Sequence, residues 1–396
     1  MAGMALANPS ASGARPLPVA SEARIEAQGE TVRLTLTLSQ PVTANAFVMA
    51  GPDRAIIDLP SVNFQLDPKV GQKGAGFVSG FRYGLFMADR ARVIISLSQP
   101  ATVSDIATRT VRGGFGELVI ELKRVSRSDF AAEARSAAAS ARLPQVEVAP
   151  RAAGDSRKIV VIDPGHGGID PGAVVASIAE KSVVLAFGQK LRDLLEASGR
   201  YRVIMTRDDD SFVPLGERVR IARAAEANLF ISIHADSLAR AQDVRGATIY
   251  TGSERATDAE SARLAAKENQ ADAVAGLDDS EDLHDVAGIL MDLAKRETRR
   301  FSSIFARNLV ENLGASVRMH KVPVRSAGFR VLTAPDVPSV LIELGYMSSP
   351  KDAELLNSEA WRAKAAAAVN AAIDQHFETT RAPAQAGGKS AASDGR

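Results

Sequence analysis

Three short apolar runs in this chain end in side chains that can bind a metal ion or move a proton. The first, Val160-Val161-Ile162-Asp163-Pro164-Gly165-His166-Gly167-Gly168, stops in a glycine-rich turn that carries His166. The second, Leu229-Phe230-Ile231-Ser232-Ile233, leads into His234-Ala235-Asp236, and the third, Ser339-Val340-Leu341-Ile342, leads into Glu343-Leu344-Gly345. Each is too short for a helix, so each reads as a buried strand with its reactive group at the C-terminal end. In open α/β sheets that is the end at which sites form. One histidine beside glycines can merely pack a turn. Two strand-end histidines and a glutamate, a residue almost never buried without a partner, are hard to explain as core packing. Imidazole with carboxylate suits zinc.

The elements that must position these groups occupy the second half of the chain. Its 396 residues are 45% hydrophobic and 24% charged with a formal net charge of +1, which predicts two or three globular domains and no strongly charged partner such as nucleic acid. No apolar run is long enough to span a bilayer. With no cysteine, disulfides, thiolate-bound zinc and a thiol nucleophile are all excluded. Ala5-Leu6-Ala7 has the small-x-small form of a signal-peptidase site, so residues 1–21 read as a signal remnant followed by a Pro/Ala/Ser stretch, with an ordinary Ala-rich start as the alternative.

Residues 22–125 show strand-like alternation, with Val32, Leu34, Leu36 and Leu38 on one face. Arg33–Val42 recurs as Arg92–Ala101, and each copy is followed by a second run, Arg54–Leu59 or Glu117–Leu122. Two similar halves predict an all-β, pseudo-symmetric sandwich. Arg82, Tyr83 and Phe86, near Gly80 and Gly84, are candidates for a glycan-facing patch or for ordinary packing. Residues 126–156 read as an Ala/Ser/Arg-rich linker, 157–377 as an α/β domain with a central mixed sheet flanked by helices, and 378–396 as a tail.

The DPGHGG turn, a glutamate before an apolar helix, SIHAD and IELGYMS together resemble the zinc-dependent N-acetylmuramoyl-L-alanine amidases over roughly Lys158 to Phe377. The N-terminal half resembles the AMIN domain that precedes the catalytic domain in some of them and helps to localise the enzyme on peptidoglycan. The resemblance implies one zinc ion bound by His166, Glu180 and His234, with Glu343 as the catalytic base. From spacing alone, Glu180 is equally a carboxylate favouring the N-terminus of the helix that Val183, Val184, Phe187 and Leu191 predict. Asp163, Asp170 and Asp236 are candidates to orient the imidazoles. Ser232 reads as structural. Arg207 and Arg218 match arginines that line the family's cleft, with a solvated surface role as the alternative. His284, His320 and His376 fall outside the motifs. Ser348-Ser349 stands where many relatives have Ser-Asn, which bears on the loop after Glu343.

Residues 258–300, between an expected strand at Thr248–Tyr250 and another at Phe329–Leu332, are longer than a crossover requires. Asp278-Asp279-Ser280-Glu281-Asp282 precedes an apolar stripe of Val286, Ile289, Leu290 and Leu293, with Ser280 as a helix cap. A core-packed helix is the plain reading. The resemblance to divisome-associated members implies instead a regulatory insertion that closes the site through Glu281, or else Asp282, until a protein activator displaces it. It also implies a periplasmic peptidoglycan hydrolase acting in daughter-cell separation. The competing class is a non-catalytic peptidoglycan-binding or divisome scaffold with a degenerate amidase fold, against which the intact His166, Glu180, His234 and Glu343 speak. A phosphate-binding loop at DPGHGG lacks the Lys-Ser/Thr that such loops require.

Overall fold

The computed structural model describes residues 16–67, 69–87, 89–111, 113–138, 148–152, 154–176, 178–237, 243–277 and 289–381. The chain divides into two compact units, one of the residues up to Gly84 with Asp89–Glu133, the other of the rest.

The N-terminal unit is built on β1 (Val19–Gln28), β2 (Thr31–Leu38), β3 (Asn45–Met49), β4 (Arg54–Pro60), β5 (Asn63–Phe64), β6 (Val78–Met87), β7 (Arg90–Leu97), β8 (Ala101–Thr110) and β9 (Gly116–Arg124), with α1 (Arg127–Ala138) after them. The strands form two sheets, ordered β5-β1-β2-β9-β8 and β3-β4-β7-β6. The sequence repeat is exchanged between the sheets. The first strand of one copy pairs with the second strand of the other, β2 with β9 and β7 with β4. The arginine that opens each copy meets a carboxylate directly across the pair, Arg33 with Glu121 and Arg92 with Asp58, the latter at 2.6 Å. Tyr83 packs against Phe64 and Phe81, at 5.0 and 6.3 Å between ring centroids.

The second unit continues with β10 (Lys158–Pro164), the two-residue strands β11 (Val174–Val175) and β12 (Ile178–Ala179), α2 (Glu180–Ala197), β13 (Tyr201–Met205), α3 (Leu215–Ala224), β14 (Leu229–His234), β15 (Ala247–Gly252), α4 (Ala259–Glu268), α5 (Ala271–Val274), α6 (Ile289–Gly314), β16 (Met319–Ala327), β17 (Ser339–Glu343), α7 (Pro350–Asn357) and α8 (Glu359–Arg381). Its sheet is mixed, in the order β13-β10-β14-β17-β15-β16. β13, β10, β14 and β17 run parallel, and β15 is antiparallel to β17.

Parallel strands covered on both faces need apolar side chains on both, which is why β10, β14 and β17 read as unbroken runs. Val160, Ile162, Ile231, Ile233, Val340 and Ile342 pack on one side with α2, α6 and α8. Ile159, Val161, Phe230 and Leu341 pack on the other with Val219 and Ile221 of α3 and Leu264 and Ala265 of α4. The expected strand at Phe329–Leu332 is instead a 3-10 turn, Arg330–Leu332, whose Val331 and Leu332 are buried. The strand lies earlier, at β16. Its sequence MHKVPVRSA hid it, because an edge strand tolerates Pro323 and polar side chains that a central strand excludes.

Candidate metal centre

The sheet register brings the reactive strand ends together. His234 of β14 pairs directly with Glu343 of β17, while Pro164, at the end of β10, pairs with Ile233. Two residues beyond Pro164 the chain turns sharply, and His166 adopts φ 60°, a left-handed conformation that costs a non-glycine residue free energy and needs outside support. Gly167 and Asp170 exchange backbone hydrogen bonds at 2.9 and 3.0 Å. Asp170 Oδ2 lies 2.8 Å from His166 Nδ1, which turns Nε2 away towards the other ligands.

Two buried arginines hold this turn from beneath. Arg218 donates to the carbonyls of Val213, Pro164 and His166 and to Asp163 Oδ1, all within 2.9 Å. Arg207 donates to the carbonyls of Pro164, Gly165, Lys181 and Asp209. Neither is solvated. The hydroxyls of Thr206 and Ser232 each donate to Asp163 at 2.7 Å, which gives Ser232 its structural role. Burial works against the Asp163 charge, but Arg218, Thr206 and Ser232 outweigh it and hold the carboxyl below its ordinary pKa. Asp163 therefore supports the main chain and meets no imidazole.

Glu180 opens α2 and is fully buried. Its carboxylate accepts from the backbone N–H groups of Ala173 and Ala235 at 2.9 and 2.8 Å, so both oxygens are fixed by main chain. The packing leaves no room for side chains nearby. A Cβ on Gly165 would stand 2.4 Å from the His234 ring, and one on Gly172 would stand 2.7 Å from both Glu180 Oε2 and His166 Cδ2.

A further carboxylate, not foreseen from the sequence, completes the cluster. Glu268, the last residue of α4, puts Oε2 3.4 Å from His166 Nε2 and 3.3 Å from His234 Nδ1. Glu180 lies 3.2 Å from His166 Nε2 through one oxygen and 3.3 Å from His234 Nδ1 through the other. His166, His234 and Glu268 each offer a donor atom within 4.8 Å of the others, and Glu180 sits against both imidazoles. The two Glu268 Oε2 separations are close to the edge of a tetrahedron around one ion, about 3.3 Å for metal–ligand bonds of about 2.0–2.1 Å, while Glu180 meets the two imidazoles through different oxygens. Among the described residues, His166 Nε2, His234 Nδ1, Glu268 Oε1 and Glu343 Oε1 are buried without a hydrogen-bond partner. Orphaned buried donors and acceptors are costly. The two unpartnered imidazole nitrogens facing Glu180 and Glu268 fit a divalent metal.

The charges fit a cation as well. Burial opposes a proton on His166, but Glu180, Asp170 and Glu268 outweigh it and push its pKa well above the usual imidazole value. Burial likewise opposes the charge on Glu180, and His166 and His234 overcome it to hold that carboxyl well below its ordinary value. Glu343 is pushed well above the carboxylate range by burial and then by Asp236 and Glu180, while its Oε2 accepts from the Asp236 N–H at 2.9 Å.

Of the remaining expectations, Glu281, Asp282, Ser280 and His284 lie outside the described residues. Among the described residues of the 258–300 segment, the carboxylate that reaches the two imidazoles is Glu268. A signal for it was present, since Ser261, Leu264, Ala265 and Glu268 form the buried i, i+3, i+4, i+7 stripe of α4, on which a carboxylate is out of place. Asp236 binds Lys267 of the same helix and does not orient an imidazole. His320 and His376 are buried elsewhere, His376 against Phe305 and Phe377.

The N-acetylmuramoyl-L-alanine amidase family model matches residues 160–375, and that of the AMIN domain matches residues 22–114. The chain is 32% identical to the N-acetylmuramoyl-L-alanine amidase AmiC of Neisseria meningitidis over 382 residues, 92% of this chain and 91% of that one. It is 30% identical to AmiC of Escherichia coli over 360 residues, covering 87% and 86% of the two chains. The solved amidase AmiC2 of Nostoc punctiforme is 27% identical, covers 57% of this chain and 99% of its own, and superposes with a TM-score of 0.42. With its two motif histidines gathered against helix-end glutamates and a family match spanning more than half its length, this chain belongs to the N-acetylmuramoyl-L-alanine amidases and carries an AMIN domain.

Proposed function

We propose that this amidase is a zinc hydrolase held shut by its own helix α4. The enzyme cleaves peptidoglycan at the amide between N-acetylmuramic acid and the first L-alanine of the stem peptide. His166, Glu180 and His234 would hold the zinc ion, and Glu268 would occupy the place that a catalytic site keeps for water or substrate. The observation that carries this reading is the set of separations of 3.2 to 3.4 Å between the two imidazoles and the two carboxylates. Bound there, zinc supplies Lewis acidity for the scissile carbonyl and lowers the pKa of water towards about 7.

Glu343 is the base. It enters the site on β17 opposite His234 and is buried, with Oε1 free of hydrogen bonds and Oε2 fixed by the Asp236 N–H. It accepts a proton from the attacking water and passes it to the departing nitrogen. Arg218 and Arg207 bind no substrate in this scheme; they keep the His166 turn rigid.

A protein activator that draws α4 away opens the fourth position. The setting is the periplasm, where the AMIN domain, a sandwich of its two sheets, binds the peptidoglycan polymer and the enzyme acts in daughter-cell separation. No helix among the described residues is long and apolar enough to cross a membrane.

The test uses an α4-open background, Glu268→Ala, with purified peptidoglycan. Zinc at one equivalent per chain, release of free stem peptides, and at least 1,000-fold slower release after Glu343→Ala on that background are the expected results, the estimate combining proton transfer with the loss of a charged group beside the metal. A zinc-loaded chain that releases disaccharides and no peptides would refute the bond assignment.

A further inference from the structure

The amidase reading leaves Lys267 and Asp236 unused, and their geometry points to the place where the departing amine binds. Lys267 Nζ is bonded to Asp236 and lies 3.8 Å from Glu268 Oε1. Glu268 Oε2 faces the two imidazoles. Consecutive helix residues point about 100° apart, so the tips of Lys267 and Glu268 meet in one site only because the long lysine stem bends back towards it. The result is a carboxylate at the metal position with an ammonium beside it.

That pair has the chemistry of the cleaved substrate. Hydrolysis of the amide breaks its C–N bond, joins the water oxygen to the acyl carbon and leaves both water hydrogens on the nitrogen. One amide and one water thereby become one carboxylate and one ammonium. We infer that Lys267 and Glu268 imitate these two products, and that Asp236 is the residue that holds the ammonium of the released L-alanine. The inference rests on the amidase reading and adds a subsite to it.

The surroundings of Asp236 favour this over a simple tether for α4. Its side chain is 2% exposed, and its partners are Lys267 and the N–H of Ser237. Departure of α4 takes away this cation and leaves Asp236 as an anionic position beside the site, to which another positive group can pair. Cleavage delivers one. The Asp236 backbone N–H also holds Glu343, so the group that gives the nitrogen its proton and the group that holds the resulting ammonium sit on adjoining positions.

The full chain carrying Lys267→Ala and Glu268→Ala, loaded with zinc, is titrated calorimetrically with L-alaninamide and with N-acetyl-L-alaninamide, which lacks the ammonium. The free amine is expected to bind and the acetylated one not. Adding Asp236→Asn should weaken L-alaninamide at least tenfold with zinc content and circular dichroism unchanged. Equal affinity in that zinc-loaded variant, or no preference for the free amine, overturns the proposal and leaves Lys267 as a tether. Should Asp236→Asn not fold, Lys267→Ala alone decides. With Glu268 retained, it should bind L-alaninamide at least tenfold more tightly than the unaltered chain, and equal binding overturns the subsite. A folded, zinc-loaded double variant that releases no stem peptide refutes the amidase reading itself, a result separate from the loss of amine affinity alone.

Discussion

The four side chains at the metal position are held in two different ways. His166, Glu180 and His234 come from strand ends and a helix start inside a sheet buried on both faces, and main-chain groups or buried arginines fix the segments that carry them. Glu268 comes from one ten-residue helix, α4, anchored by Leu264, Ala265 and a few ion pairs. The Glu180 carboxylate and the His166 turn are tied into a framework of main-chain groups and buried arginines, whereas α4 is tied by two core residues and the ion pairs of its side chains. On the proposed function, the contrast is that between a metal site and its stopper.

Breaking the framework should therefore cost stability. Arg218→Met removes the arginine donors of the Val213 and His166 carbonyls and one of the two of Pro164, and leaves Asp163 buried without its cation, so it should destabilise the second unit by about 3–5 kcal/mol. Urea unfolding would register this as a lower midpoint at unchanged slope. A loss under 1 kcal/mol would mean that the turn does not depend on its arginine.

A buried histidine of α8 gives the second unit a pH dependence away from the metal position. Burial lowers the His376 pKa to about 4, below its ordinary 6.5, so the folded state prefers the neutral ring. The stabilisation is complete above pH 6.5 and is lost as pH falls from there towards 4. It amounts to at most about 2 kcal/mol between pH 7.5 and 5. His376→Leu should flatten the fall in melting temperature over that range, and an unchanged slope would assign it to other groups.

Loosening the helix should change activity rather than stability. Arg325 is buried and reaches Glu260, on the first turn of α4, at 2.8 Å. Glu260→Ala removes a half-exposed pair worth about 1 kcal/mol, which corresponds to about fivefold more open enzyme and a similar rise in basal stem-peptide release. No rise, with melting unchanged, would show that this end of α4 does not restrain it.

The same contrast explains what was legible in the sequence. His166, His234 and Glu343 stood out because central parallel strands must be apolar throughout, so a reactive residue at their ends breaks a pattern. The mixed sheet and flanking helices followed from the same runs. Glu180 was ambiguous because a helix start favours a carboxylate with or without a metal, and only its two backbone donors distinguish the cases. Arg207 and Arg218 gave no sign of burial, because their partners are carbonyls of a turn whose shape no local pattern encodes. Glu268 does not stand out beside the acidic run at 278–282, which lies outside the described residues, although its place on the apolar stripe of α4 marks it. Which carboxylate reaches the site depends on tertiary packing, and charge density along the chain does not report that.

The most direct test of the division is to remove each carboxylate separately and measure bound zinc together with stem-peptide release. Glu180→Ala should lose zinc and all activity, while Glu268→Ala should keep one zinc per chain and release peptides at least tenfold faster than the unaltered protein. If Glu268→Ala instead loses zinc and activity as Glu180→Ala does, Glu268 belongs to the framework and α4 is no stopper.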